Sequence, residues 1–206
     1  MKNSLILLLT LSSFSLITKA QMTVTVGSTT LDVDTVYYGT GSTGAFTGNN
    51  GMDIPWEILY GPDDHLWVTE RKGLISRIDP ITKMKSVVLN LSGTVYQNSE
   101  SGLLGMALHP DFENSPEVFI AYTYGGFGNI RERFEKYTFN GTNLVNPVVL
   151  LEDIIGNTTH IGCRIHFLPD NTILFSTGDA QNTSLPQNTN SLSGKILRMN
   201  MDGSIP

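Results

Sequence analysis

The sequence is short of most features that announce a function. A single cysteine, Cys163, stands in 206 residues. That excludes an internal disulfide and leaves burial and hydrogen bonding to hold the fold. No C-x-x-C or H-x-x-x-H spacing occurs, so nothing supports a zinc site. A G-x-S-x-G elbow and a glycine-rich phosphate loop are also missing, which leaves the α/β-hydrolase and P-loop readings without a basis. Lys and Arg number 13 against 19 Asp and Glu, for a formal net charge of −6, and the basic residues form no cluster. Nucleic acid and anionic membrane surfaces are poor partners for such a chain. After residue 20 no apolar run approaches the ~20 residues of a spanning helix. No stretch there keeps helical periodicity for three turns.

What is present begins with MKNSLILLLTLSSFSLITKA. Lys2 gives a positive start, residues 4 to 17 are apolar or hydroxylic, and the stretch closes on a small residue. Residues 1–20 therefore read as a signal peptide cleaved after about Ala20, which places the mature chain in the periplasm or outside the cell. A retained anchor or a buried first element are the alternatives. With the signal removed, no membrane span is expected. Asn90, Asn140, Asn157 and Asn182 head N-x-S/T sequons, which matter only in a host that glycosylates exported proteins. Residues 21–50 hold one or two strands and a glycine-rich linker, and residues 51–206 carry the repeat described next.

Three Pro-Asp turns, at Pro62-Asp63, Pro110-Asp111 and Pro169-Asp170, lie 48 and 59 residues apart. Each is flanked by apolar strands, and each leads to a third, amphipathic one: LISRID, RERFEKYTF and GKILRMNM. The first two units add a fourth, KSVVLNL and NPVVLLED. RERFEKYTF is charged enough to suggest a helix, but its Phe134, Tyr137 and Phe139 fit a half-exposed strand. Four-stranded units at such a period predict an all-β chain, a β-propeller with three blades present. Three blades cannot close a ring, and the third lacks its outer strand. The expectation is an amino-terminal part of a longer protein, inactive alone.

Polar residues at the ends of inner strands face the central channel of a propeller. Three qualify: Glu100 before GLLGMAL, His160 before RIHFL, and Asp179 after TILFSTG. The stretch HIGCRIHFLPDNTILFSTGD is a hairpin, and a hairpin returns its outer ends side by side. A histidine beside a carboxylate is the usual make-up of a general base and its orienting partner, worth about 10²–10⁴ in rate. By residue type alone the two also read as a surface histidine and a turn aspartate. His65 and His109 adjoin Pro-Asp turns and read as turn chemistry, and His166 reads as packed or solvent-facing.

The wording of four ordered segments carries a resemblance. ESGLLGMALHPDF, HIGCRIHFLPD with STGD, SGKILRMNMDGSIP and PWEILYGPDDHLWVTERKGLISRID resemble the pyrroloquinoline-quinone-dependent glucose/sorbosone (aldose sugar) dehydrogenases, over residues 53 to 206. The resemblance implies a six-bladed propeller when complete. It implies that His160 removes the proton of a sugar's anomeric hydroxyl, that Asp179 orients it, and that Glu100 and Arg164 belong to the substrate and cofactor pocket. It also implies pyrroloquinoline quinone (PQQ) and Ca2+, with their ligands downstream of residue 206 and no metal site in this chain, and an external electron acceptor. Cys163 departs from the family's H-x-x-G-R pattern. Glycine serves where backbone approaches closely, so a side chain there is expected to crowd the channel or tilt His160. The alternative function is a non-catalytic propeller binding a ligand or protein. A lactone-hydrolysing propeller would need a further set of metal-binding carboxylates and asparagines.

Overall fold

The computed structural model describes residues 22–33 and 52–206. The described residues form strands and no α-helix. Two units are distinguished. In the first, β1 (Met22–Val26) and β2 (Thr29–Val33) pair as an antiparallel hairpin. Residues 1–21 and 34–51, which take in the expected signal peptide and most of the expected linker, lie outside the described residues.

The second unit is a series of antiparallel sheets. The first contains β3 (Pro55–Tyr60), β4 (Leu66–Glu70), β5 (Leu74–Ile78) and β6 (Lys85–Asn90), in that spatial order. The second contains β7 (Leu103–Leu108), β8 (Glu117–Gly126), β9 (Asn129–Phe139) and β10 (Leu144–Ile155), again in sequential order. The third contains β11 (Gly162–Phe167), β12 (Ile173–Thr177) and β13 (Ile196–Met199). This is a β-propeller with three blades in the described chain. RERFEKYTF is strand β9, as its aromatic spacing requires.

Side-chain alternation explains the sheet packing. In β8, Val118, Ile120 and Tyr122 enter one core cluster with Trp67, Ile75 and Val88 of the first blade. The residues between them, Phe119 and Ala121, enter a second cluster with Cys163, Ile165, Ile173 and Phe175 of the third blade. A strand buried on both faces must be apolar at every position, which is why EVFIAY has no polar residue after its glutamate. Phe134 and Phe175 stack across the second cluster with ring centroids 5.0 Å apart. Each such fully buried large side chain contributes about 1.5–3 kcal/mol.

Cys163 lies in this second cluster, 5% exposed. It therefore does not crowd the channel, and the expectation that it would is corrected. Alternation along β11 turns Ile161, Cys163 and Ile165 inward, while His160, Arg164 and His166 are exposed. The thiol occupies space that Gly105 leaves free: a Cβ on Gly105 would meet the sulfur at 2.9 Å. Burial pushes the Cys163 thiol well above its ordinary range, and the nearby Glu132 adds to the effect.

Glu132 is 1% exposed, and its Oε1 is buried with no hydrogen-bond partner. Desolvation holds its carboxyl well above the usual 4.5. Because the folded value is raised, the unfolded chain releases this proton first as pH climbs past ~4.5, and folded stability falls from there upward. Glu132→Gln removes that loss. The variant's stability relative to wild type is expected to grow between pH 4.5 and 7 by up to about 1.4 kcal/mol per pH unit. Paired thermal melts across that range check it; a constant offset would mean that Glu132 is already ionised in the fold.

Candidate active site

The ends of the β11–β12 hairpin meet as the alternation requires. His160 Nδ1 lies 3.0 Å from Asp179 Oδ1. A carboxylate only accepts, so Nδ1 carries the hydrogen, and in the neutral ring Nε2 then holds the lone pair. The His160 side chain is 58% exposed and Asp179 23%. Nε2 has no protein partner among the described residues, and the exposed side chain leaves it open to solvent.

The backbone around this pair is held from several sides. His160 sits at φ 58°, and Ala180 and Gln181 follow the hairpin at 52° and 62°. Such left-handed conformations cost of order 1–3 kcal/mol each away from glycine and persist when the surroundings fix them. Here Ala180 N–H donates to the His160 carbonyl at 3.0 Å. Gln181 N–H donates to Asp179 Oδ1, also at 3.0 Å, closing an Asx turn that fixes the carboxylate. The His160 N–H donates to Glu100 Oε2 at 2.7 Å. The carboxylate of Glu100, expected to line the pocket, accepts the backbone hydrogen of His160 from the neighbouring blade.

Arg164 projects from β11 and donates through Nη1 to the carboxylate of Glu57 on β3. Its side chain is 68% exposed whereas Glu57 is 8%. The pair links the innermost strands of the first and third blades. His166 is exposed, and His65 and His109 each contact backbone two residues away, at Asp63 and Asp111, in the turn role expected of them.

Sequence reasoning missed two contributors. Asn157, noticed only as a sequon, donates from Nδ2 to the Ala180 carbonyl at 3.0 Å and to Gln181 Oε1 at 3.2 Å. Gly178 lets the two strand ends approach, because a Cβ there would stand 1.7 Å from the His160 carbonyl oxygen. The G-D pair after β12 was the available signal, but a glycine before a turn is too common to single out.

Among the described residues no group of three or more His, Cys, Asp or Glu side chains could hold a metal ion. No helix among them is long and apolar enough to cross a membrane.

Comparison with known proteins bears on this geometry. The family described as Glucose / Sorbosone dehydrogenase matches residues 52–206. The quinoprotein glucose dehydrogenase B of Acinetobacter calcoaceticus is 31% identical over 186 residues, covering 76% of this chain and 39% of that protein. An aldose sugar dehydrogenase of Escherichia coli is 25% identical over 165 residues, covering 75% of this chain and 43% of its own length. The PQQ-bound aldose sugar dehydrogenase of Streptomyces coelicolor superposes with a TM-score of 0.64 at 32% identity, over 74% of this chain and 46% of that one. This chain thus spans less than half the length of these relatives. By the match over residues 52–206 and the propeller blades it shares with these structures, the chain belongs to the glucose/sorbosone dehydrogenase family.

Proposed function

We propose that the intact protein is an exported quinoprotein that oxidises an aldose sugar at C1, with His160 as general base and Asp179 as its orienting partner. The observation that carries this reading is the 3.0 Å contact between His160 Nδ1 and Asp179, which leaves Nε2 free. Oxidation at C1 removes a proton from the anomeric hydroxyl and a hydride from the carbon. Nε2 accepts the proton, and Asp179 holds the tautomer that makes Nε2 the acceptor and stabilises the imidazolium that forms. When bound, PQQ would supply the hydride acceptor, and an external electron acceptor would take up the two electrons.

The described residues suit the base end of such a site and supply little of the cofactor end. His160 is exposed, as a base serving a bound substrate must be. The one cation on β11, Arg164, is engaged by Glu57. PQQ and Ca2+ therefore enter this proposal through the family resemblance rather than through a site among the described residues. Glu100 fixes the position of the base through its backbone, and its Oε1 has no described protein partner.

Reduction of an artificial electron-accepting dye by the intact protein, loaded with PQQ and Ca2+, tests the reading across a panel of aldoses. Sugar-dependent dye reduction that vanishes without PQQ is the expected result. A protein that takes up PQQ yet reduces no dye with any sugar would sink the assignment and leave a binding propeller.

A further inference from the structure

We propose that Arg71, at the end of the first blade's second strand, is a positioning residue for His160, acting through the turn at residues 98–101. The inference rests on the reading of His160 as the base. It concerns how three blades fix one imidazole.

The chain of contacts starts at the Arg71 backbone, which is immobilised at the junction of two blades. Its N–H donates to the Ile54 carbonyl at 3.1 Å, and its carbonyl accepts from Leu103 N–H at 2.9 Å. The side chain then lies along Gly102. A Cβ on Gly102 would meet Arg71 Cγ at 2.4 Å, so the glycine makes room for the arginine stem. From there Nη1 donates to the Ser99 carbonyl. Ser99 is in a left-handed conformation at φ 54°, and the turn closes through Asn98 N–H to Ser101 Oγ at 3.0 Å and Ser101 Oγ–H to the Asn98 carbonyl at 2.7 Å. A charged donor on a carbonyl inside a strained turn is a strong fixing contact, about twice a neutral one.

The other side of the turn grips the segment that carries the base. Glu100 N–H donates to the Thr158 carbonyl at 2.9 Å, and Ser101 N–H reaches the same oxygen at 3.2 Å. The Glu100 carboxylate receives His160 N–H at 2.7 Å. Glu100 therefore holds residues 158 and 160 at once, by backbone and by side chain. Beyond it lies only the His160–Asp179 contact. Arg71 in the first blade and Glu100 entering the second thus form a chain of contacts that ends on the His160 backbone, while Asp179 in the third holds the ring. Removing the guanidinium frees the Ser99 carbonyl and loosens the turn. The left-handed backbone of His160 then loses the carboxylate that holds it, and the ring drifts from its working position. A displacement of about 1 Å at a reacting group costs up to ~10²-fold in rate.

The test uses the intact protein and the variants Arg71→Met and Arg71→Lys. Hydrogen–deuterium exchange is followed by mass spectrometry on a peptide spanning residues 157–162, with exchange over the other strands of blades 1–3 as reference. Arg71→Met is expected to speed exchange in that peptide by about tenfold or more while the reference strands stay unchanged. Its kcat should fall roughly 10- to 100-fold with KM little altered. Arg71→Lys returns a donor to the Ser99 carbonyl and should recover most of the protection and most of the rate. Unchanged exchange in folded Arg71→Met overturns the proposal. So does faster exchange spread evenly over all three blades, which marks an arginine that only stabilises the fold. If Arg71→Met does not fold, Arg71→Lys with exchange and kcat both as poor as in Glu100→Ala overturns it, and intermediate values uphold it. Should wild type oxidise no sugar, the functional reading fails by itself, and the exchange measurements still decide whether Arg71 fixes His160.

Discussion

Replacing His160 with alanine in the intact protein is expected to cut sugar turnover by about 10²-fold or more while leaving PQQ binding nearly unchanged. The size follows from what is removed. Nε2 is the only proposed proton acceptor, and without it the anomeric proton must leave to water as the hydride departs. Binding should survive because the imidazole is 58% exposed and packs in neither core cluster. Asp179→Asn should cost less than His160→Ala. The amide keeps the size of the carboxylate and its oxygen can still accept from Nδ1, but it withdraws the negative charge that stabilises the imidazolium. It can also turn its NH2 group to Nδ1, which would select the other tautomer and take the lone pair from Nε2. Steady-state rates with PQQ bound, set beside PQQ affinity measured by titration, check both variants. A His160→Ala protein with wild-type kcat would remove the base from the mechanism.

The two halves of the hairpin show what was legible beforehand. Alternation along HIGCRIHF fixes which residues share a face, so one reading delivers both the exposed His160 and the buried Cys163. At Cys163 the family's glycine leads instead to the expectation of a crowded channel, and the burial of the thiol overturns it. What relieves the crowding is Gly105, 58 positions earlier in sequence and on another blade, whose missing side chain admits the sulfur. Periodicity within a strand carries no record of its neighbour across a blade interface. The same holds for Glu100, whose bond to His160 N–H spans 60 residues, and for Glu57, whose contact with Arg164 spans 107. The blades themselves were readable because each is a local run of strands and turns. Contacts between blades were not, because they depend on how those units stack.

Gly178→Ala is the other substitution expected to have a large effect, and it acts without touching a reacting group. A Cβ at this position would stand 1.7 Å from the His160 carbonyl oxygen, 2.3 Å from its carbonyl carbon and 2.8 Å from the carbonyl carbon of Ile161. All three are backbone atoms, so no side chain can swing aside; the ends of β11 and β12 must part. Parting them stretches the bonds that the approach allows, Gly178 N–H to the Ile161 carbonyl at 2.6 Å and Ala180 N–H to the His160 carbonyl at 3.0 Å. Asp179 is the next residue along, so the shift moves the carboxylate relative to the ring it orients. A misplacement of about 1 Å at such a pair costs up to ~10²-fold in rate. The lost backbone bonds add destabilisation of about 1–3 kcal/mol for each buried group left unpaired. The expected outcome is a folded protein with a lower Tm, PQQ affinity close to wild type, and kcat reduced about 10²-fold. Asn157→Ala supplies the comparison. It removes the side-chain contacts to Ala180 and Gln181 but leaves the strand ends free to meet, and its loss in kcat should be smaller. Gly178→Ala with kcat equal to wild type would show that the close approach of these two strand ends is not what sets the base, and that the contact between His160 and Asp179 forms independently of the backbone beneath it.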